Sequence, residues 1–256
     1  MHPVWSVSVV SHGHGKRLLS TLVSIGQCLD GPGRSGEILL TLNIPERTDF
    51  LDQLPLQTRR RINVIKNEAP CGFGTNHNRA LKHANGKYFL IADPELSFTD
   101  KQLLAALERT LALPNAGVVS PMAFTPSGDY DNNGRALPTP KRLIKKYASL
   151  NRKNMGGEEQ NSGVSWIAGL FMALPASVFR AVDGFDEGYF MYCEDVDLCL
   201  RVQQKGYWIR LLRDVRVTHH AARNTRKNLV HLYWHTSSLL RLWRSAPYRS
   251  FSRGSH

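Results

Sequence analysis

The chain has 256 residues, which is enough for one large domain or two small ones. Its 42% hydrophobic and 21% charged content is typical of a soluble globular protein, and no apolar run reaches the roughly 18 residues that a membrane span needs. The 33 Lys and Arg against 21 Asp and Glu give a net charge of +12, which favours an anionic partner: nucleic acid, a phosphorylated small molecule or an acidic membrane surface.

The N-terminal sequence lacks the basic and then apolar arrangement of a signal peptide, so we expect a cytoplasmic protein. The four cysteines form no CxxC pair and no spacing typical of a metal site. Buried, reduced thiols are therefore expected at Cys28, Cys71, Cys193 and Cys199.

Predicted strands and helices alternate through the first half of the chain. This alternation predicts a mostly parallel sheet with helices on both faces. β-branched and apolar runs predict strands at 4–11, 36–45, 62–67, 86–95 and 116–124, and helical periodicity predicts helices at 16–29, 76–84 and 100–113.

Ligands of such sheets bind beyond the carboxyl ends of the strands. That rule selects Ser11-His12, Asn43, Asn67 and Asp93-Pro94-Glu95. Two carboxylates one residue apart can share a hard divalent cation that bridges a diphosphate. A polar turn after the strand is the alternative interpretation of the same residues.

The segment before the fourth strand contains Gly72 and Gly74, where backbone can approach a ligand closely, and Asn76 and Asn78, which supply donors at a helix start. A helix N-terminus attracts phosphate or a sugar hydroxyl. A plain turn with a helix cap explains the pattern equally well.

Three acids interrupt an apolar run at Glu194, Asp195 and Asp197. A helix beginning near Glu194 would stabilise them through its dipole, and Asp197 can pair with Arg201 at i, i+4. That pairing makes Asp197 structural and leaves Glu194 and Asp195 unexplained. A carboxylate at a partly apolar helix start can act as a general base for a hydroxyl.

Two further features come from the second half of the chain. His219 and His220 follow a β-branched strand; such a pair can bind a ligand or lie in the core or on the surface. Segments 141–153 and 228–245 read as basic amphipathic helices, which can lie on anionic lipid or pack on the domain with solvated charges.

Taken in order, the strand VSVVS, then GFGTNHNRA, YFLIADPEL, the block from Gly169 to Tyr207 and a late VTHH resemble the family 2 glycosyltransferases of the GT-A fold, especially the rhamnosyltransferase-like branch. The resemblance covers residues 4 to 225 and is most specific in the Gly169–Tyr207 block. It implies inverting transfer from a nucleotide-diphosphate sugar, with dTDP-rhamnose as a candidate, to a cell-surface glycan or lipid-linked acceptor.

The resemblance also implies residue roles. Asp195 is the expected base, with Glu194 beside it, and Mn²⁺ or Mg²⁺ is expected on Asp93, Glu95 and His219, with His220 as the alternative histidine. Trp166 and Gly169 are expected on the acceptor side. The expected donor-binding residues are Ser11, His12, Asn43, Asn67, Gly72, Phe73, Asn78 and Asp93.

The sequence departs from the family where the nucleotide base is held. Leu42 precedes Asn43 where an Asp is usual, and Ser11-His12-Gly13 replaces Thr-Tyr-Asn. These changes leave the base and sugar open and allow an alternative, a non-catalytic nucleotide- or glycan-binding protein. No recognised nucleic-acid motif accompanies the positive charge, so no nucleic-acid partner is expected.

The expected organisation is a GT-A domain over 1–225 and a C-terminal helical extension over 226–256. The domain divides into a nucleotide-sugar-binding half (1–124), a variable acceptor-side loop (125–164) and a catalytic half (165–225). A lipid-linked acceptor and the two basic helices together predict peripheral attachment to the inner face of the cytoplasmic membrane. The oligomeric state stays open.

Overall fold

The computed structural model describes residues 4–31, 34–98, 100, 102–148, 164–220 and 229–253. Its central feature is an eight-stranded sheet with the order β3-β2-β1-β4-β9-β6-β10-β5. The strands are β1 (Trp5–Ser11), β2 (Gly36–Leu42), β3 (Ile62–Lys66), β4 (Tyr88–Ala92), β5 (Leu96–Ser97), β6 (Ala116–Phe124), β9 (Phe171–Pro175) and β10 (Trp208–His219), and a separate two-stranded sheet pairs β7 (Gly134–Arg135) with β8 (Trp166–Ile167).

Six of the eight strands run in one direction, which confirms the predicted mostly parallel sheet. β1, β2, β3 and β4 pair in parallel, as do β6 and β10. β9 runs antiparallel to both β4 and β6, and β5 runs antiparallel to β10. The carboxyl ends of the six strands therefore lie at one edge.

Helices cover both faces of the sheet. They are α1 (Leu18–Leu29), α2 (Leu56–Arg60), α3 (Phe73–His83), α4 (Leu103–Leu111), α5 (Pro140–Ala148), α6 (Ala176–Ala181), α7 (Glu194–Gln204), α8 (Leu229–Arg244) and α9 (Ala246–Arg253). β2 shows the two-sided packing that its continuous apolar run predicts. Ile38 and Leu40 join the cluster of α1 and α4, whereas Leu39 joins that of α3, α6 and α7.

Several predicted boundaries were wrong. The strands predicted at 36–45 and 86–95 are shorter, as β2 ends at Leu42 and β4 at Ala92, and the helix predicted from residue 100 begins at Leu103. The helix expected from residue 16 begins at Leu18 after a short 3₁₀ turn over Gly15–Arg17. The helix expected from Asn76 begins at Phe73, with Gly72 as its N-cap. Gly72 stands there because a Cβ would lie 2.6 Å from the Phe190 carbonyl oxygen, so only glycine lets these two backbones meet.

The C-terminal segment forms two helices in the described range, α8 and α9, which pack through Leu239, Leu242 and Tyr248 onto the cluster that contains α7. The domain limits proposed from the sequence remain a prediction. Within the variable loop 125–164, residues 149–163 lie outside the described residues, as do the side chains of Lys145, Lys146, Tyr147 and Leu150 in the basic amphipathic segment.

Candidate active site

The residues selected at strand ends meet at one edge because their strands are parallel. Ser11 ends β1, and Asn43 and Asn67 directly follow β2 and β3. Asp93 directly follows β4, and His219 is the last residue of β10. The topology thus gathers residues separated by more than 200 positions in the chain.

A network of buried amides occupies the β2–β3 side of this edge. Asn43 Oδ1 accepts hydrogen bonds from the Cys71 backbone N–H at 2.8 Å and from Asn67 Nδ2 at 2.9 Å. Asn67 also donates to Asn76 Oδ1 at 2.7 Å and accepts from Arg79. These amides are hydrogen-bonded within the protein, and Asn43 fixes the backbone of the Cys71–Gly72 turn.

Other predicted donor residues divide between this edge and another surface. His12 is exposed at the end of β1, where its Nδ1 lies 3.2 Å from Asn43 Nδ2, and the Ser11 hydroxyl accepts from His14 N–H. Asn78 instead bonds to the Phe185 backbone and Glu187, so its amide is used away from the strand ends.

Asp93 and His219 face each other across the middle of the edge. Asp93 Oδ1 lies 3.6 Å from His219 Nε2, too far for a good hydrogen bond, and this nitrogen is buried without a partner. On the opposite side of the ring, Nδ1 lies 2.6 Å from Asp131 Oδ2. Burial opposes protonation, but the Asp131 and Asp93 carboxylates outweigh it and raise the pKa of His219 to about 9.

These residues fit a divalent cation as partial ligands. Once His219 loses its proton, its Nε2 and Asp93 Oδ1, 3.6 Å apart, are a nitrogen and an oxygen donor for a cation, whereas the Glu95 carboxylate lies 3.6 Å from Arg17. No group of three His, Cys, Asp or Glu side chains is arranged as a metal cage in the described ranges. Mg²⁺ and similar ions are commonly held by one or two carboxylates plus substrate phosphates.

The acid pair stands at the first turn of α7. Glu194 is buried and its Oε2 has no hydrogen-bond partner. Asp195 is half-buried; its Oδ2 accepts the Gly169 N–H at 3.0 Å and its Oδ1 accepts the Val196 N–H at 2.8 Å.

The two acids have different protonation tendencies. Burial, together with the charge of Asp195, raises the pKa of Glu194 well above its ordinary value. Burial also raises the pKa of Asp195, but the Gly169 and Val196 N–H groups and the charge of Arg135 oppose that rise. Because only Asp195 has donors on both oxygens, it is the acid better suited to be the anion of the pair.

One dipeptide joins the acid pair to the Asp93 side. The Gly169 N–H binds Asp195, and the adjacent Leu170 carbonyl accepts the Asp93 N–H at 2.8 Å. Gly169 also contacts Phe73, since an added Cβ would lie 2.9 Å from that ring. The Asp93 backbone and the Asp195 carboxylate are therefore each one hydrogen bond away from the Gly169–Leu170 dipeptide.

The comparisons with known proteins agree with this geometry. The family model described as glycosyl transferase family 2 matches residues 47–173, from the loop after β2 to the middle of β9. The matched part of the chain is a family 2 glycosyltransferase domain.

Rhamnosyltransferases are among the similar proteins. The chain is 26% identical to the N-acetylglucosaminyl-diphospho-decaprenol L-rhamnosyltransferase of Mycobacterium tuberculosis over 100% of this chain and 91% of that protein. It is 29% identical to the rhamnosyltransferase WbbL of Escherichia coli over 66% of this chain and 69% of that protein. No support appears for a non-catalytic binding protein.

Solved structures confirm the GT-A fold. The mannosyltransferase PcManGT from Pyrobaculum calidifontis, in complex with GDP-Man and Mn²⁺, aligns with a TM-score of 0.61 at 17% identity, over 97% of this chain and 67% of that one. S. aureus TarS in complex with UDP-GlcNAc aligns with a TM-score of 0.61 at 15% identity, over 94% of this chain and 67% of that one.

The backbone before the acid pair of this glycosyltransferase is strained. Tyr192 has φ 73° and Cys193 has φ 65°, so two consecutive residues other than glycine are left-handed. Such a conformation costs about 1–2 kcal/mol per residue. It persists where surrounding contacts impose it, and such strain is concentrated at functional sites.

The residues predicted on the acceptor side lie in the small sheet, at Trp166, and just after it, at Gly169. Trp166 in β8 is buried, donates through Nε1 to the Ala136 carbonyl at 2.9 Å, and lies against the Arg135 guanidinium, 5.1 Å from the ring centroid.

Asp197 is buried and accepts a hydrogen bond from Arg201 Nε at 2.7 Å, which confirms its predicted structural pairing.

Sequence reasoning missed Asp131 and Arg135. Both lie in the Pro-, Gly- and Asn-rich stretch after β6, where no periodicity marks a position as special. Asp131 is brought to His219 because its N–H donates to the Ala123 carbonyl at the end of β6. Three charged residues among otherwise uncharged ones, Asp129, Asp131 and Arg135, were the available signal.

A cavity of about 880 Å³ opens elsewhere, between α7 and the junction of α8 with α9. Four of its charged lining residues form two ion pairs: Arg201 with Asp197 and Arg241 with Asp186. Neither Asp93 nor Asp195 lines it, so this cavity is not the candidate active site.

Proposed function

We propose that this glycosyltransferase moves a sugar from a nucleotide-diphosphate sugar to a hydroxyl of a lipid-linked glycan, with inversion at the anomeric carbon. The observation that carries the proposal is the Gly169–Leu170 dipeptide, which binds Asp195 on one side and Asp93 on the other. This connection supports Asp195 as the base for the acceptor hydroxyl and Asp93 as a ligand of the cation beside the donor diphosphate. The names of the two rhamnosyltransferase relatives support rhamnose as the sugar and a polyprenyl-diphosphate-linked sugar as the acceptor.

In the proposed reaction, Asp195 accepts the proton of the acceptor hydroxyl. The hydroxyl oxygen forms a bond to the anomeric carbon while the bond from that carbon to the diphosphate oxygen breaks, so a single displacement inverts the configuration. The Gly169 and Val196 N–H groups hold Asp195 in its anionic form until the proton arrives. The leaving group is the nucleoside diphosphate.

The donor diphosphate would lie beside Asp93 and His219. These residues would hold Mn²⁺ or Mg²⁺, which supplies positive charge next to the leaving diphosphate. Glu95 contributes to the same site if its contact with Arg17 opens, since their charged atoms are 3.6 Å apart and Arg17 is largely exposed. The exposed His12 and the buried Asn43–Asn67 network border the nucleoside end.

The test is transfer by the purified chain. It would be incubated with Mn²⁺, a panel of nucleotide-diphosphate sugars that includes dTDP-rhamnose, and N-acetylglucosaminyl-diphospho-polyprenol, and the product's anomeric configuration would be read by NMR. The proposal expects one donor to give a glycosylated lipid of inverted configuration. Donor binding without turnover would instead establish a non-catalytic protein, and retained configuration would exclude the single displacement.

We further propose that α5 and α8 form a basic surface that attaches the enzyme to the inner face of the cytoplasmic membrane. Residues 140–153 and 221–256 contain no Asp or Glu and thirteen Lys and Arg, which leaves 20 basic and 21 acidic residues in the rest of the chain. The net positive charge of the chain thus falls in these two segments, which favours their attraction to anionic lipid.

The fold brings these two segments together. In α8, Trp243 donates to the carbonyl of Pro138, two residues before α5, at 2.9 Å. Large apolar side chains on both helices nevertheless face solvent: Ile144 is 69% exposed, Leu229 80% and Tyr233 69%. No helix in the described part of the chain is long and apolar enough to cross a bilayer, so the proposed attachment is peripheral.

Vesicle co-sedimentation tests this attachment. Anionic vesicles should retain the protein at low salt and release it at high salt, whereas neutral vesicles should bind little. The variant Leu229→Ser/Leu232→Ser should bind anionic vesicles less. The matched control Leu56→Ser/Leu113→Ser changes two exposed leucines of α2 and of the turn after α4, and should bind as the wild type does. Equal, negligible binding to both vesicle types would refute the attachment.

A further inference from the structure

One face of α8 contacts the loop 186–193, which leads into the acid pair. The Tyr192 hydroxyl lies 2.8 Å from His231 Nδ1, and the Phe190 and Trp234 rings stack with centroids 4.7 Å apart. These contacts come from the first two turns of α8. The side chain of His235, one turn after His231, also meets the Tyr192 ring at 5.4 Å.

The later turns of α8 continue the contact along the same loop. Ser238 Oγ donates to the Met191 carbonyl at 2.8 Å, and Arg241 donates to Asp186 at 2.8 Å. Positions 231, 234, 238 and 241 follow the helical repeat, so a single face makes all of these contacts. Several of these contacts are hydrogen bonds. Because hydrogen bonds are directional, they restrain the conformation of the loop more than apolar packing alone would.

The loop 186–193, which α8 contacts, ends in the strained turn at Tyr192 and Cys193. Tyr192 and Cys193 are left-handed, and Glu194 and Asp195 follow at once. On the other side of the loop, the Phe73 N–H donates to the Phe190 carbonyl at 2.9 Å. The turn therefore lies between two helices that contact it. One is α3, which borders the strand ends where the donor is proposed to bind, called here the donor edge; the other is the C-terminal helix α8.

We propose that Tyr192 and His231 are positioning residues: their hydrogen bond maintains the left-handed turn that aims Asp195 at the acceptor hydroxyl. The inference rests on the proposed role of Asp195 as the base. It gives the C-terminal helix a part in catalysis, because the same helix that presents Leu229 and Tyr233 to solvent orients the base from its opposite face.

Removal of either hydrogen-bonding group tests this inference. With a saturating donor and a water-soluble acceptor analogue, Tyr192→Phe and His231→Leu should each lower kcat about 10-fold or more, because misplacing a reacting group by about 1 Å has effects of this order. The KM of the donor should not change, since neither residue borders the donor edge. The double variant should lose no more than either single variant, as expected when both changes break one interaction.

Two variants separate positioning from a general loss of structure. His231→Gln offers the Tyr192 hydroxyl an amide oxygen and should restore most of the kcat lost in His231→Leu. Tyr88→Phe also deletes one hydroxyl from a buried ring, but at the amino end of β4, and should leave kcat unchanged.

Wild-type kcat in both Tyr192→Phe and His231→Leu would overturn the inference. An equal loss of kcat in Tyr88→Phe would also overturn it. So would a kcat in His231→Gln as low as that of His231→Leu, provided that circular dichroism shows all variants to be folded. Asp195→Asn is assayed in parallel. If that variant keeps its turnover, the proposed function fails; if it is inactive while the Tyr192 and His231 variants are normal, only the positioning role fails.

Discussion

Replacing Asp195 with asparagine removes the proposed base while keeping the side chain's shape. The carboxylate accepts two backbone hydrogen bonds, from Gly169 and Val196, and an amide can accept only one of them at its oxygen. The lost hydrogen bond costs about 1 kcal/mol of folding stability. Loss of the negative charge next to Glu194 offsets part of that cost, so the melting temperature should change little.

Catalysis should suffer far more than stability. A positioned general base contributes about 10²–10⁴-fold, so kcat of Asp195→Asn should fall by at least about 10². Donor affinity should stay within a factor of about two, because Asp195 contacts the donor side only through the Gly169–Leu170 dipeptide. The assay combines steady-state transfer with calorimetric binding of the nucleoside diphosphate in Mn²⁺.

Glu194→Gln is the matched control, since it makes the same change one residue earlier. Glu194 has an oxygen without a partner and a strongly raised pKa, so its neutralisation should reduce kcat much less. Near-normal turnover in Asp195→Asn together with an inactive Glu194→Gln would refute the assignment and identify Glu194 as the base.

Three other outcomes are expected. Glu95→Ala should weaken Mn²⁺-dependent binding of the nucleoside diphosphate; affinity that is the same with EDTA as with Mn²⁺ in the wild type would exclude a metal site there. Burial raises the pKa of the Asp195 carboxyl above its ordinary value of about 4, so kcat should fall as pH drops through that raised value, and a kcat that stays flat down to about pH 4 would contradict this sign. Arg201→Leu leaves the buried Asp197 carboxylate unpaired and should lower the free energy of unfolding by about 3 kcal/mol, measured by urea denaturation; a loss below about 1 kcal/mol would show that the pair contributes little.

Much of the site could be predicted from the sequence because it depends on local patterns. Apolar β4 followed by Asp93 marks the carboxyl end of a buried strand, and parallel strands place such ends at one edge. The acid-rich start of α7 is also local, since a helix N-terminus favours Glu194, Asp195 and Asp197, and the i, i+4 spacing pairs Asp197 with Arg201.

Only the tertiary structure decided what each of those side chains meets. Asp131 approaches His219 from a loop without periodicity, and Asn78 turns away to Phe185 because the rotation of α3 depends on its packing. The left-handed turn at Tyr192 carries no glycine to reveal it, and its contact with His231 of α8 comes from a residue about 40 positions later in the chain. Sequence periodicity reports which face of an element is apolar, but the partners of a polar side chain follow from how distant elements pack.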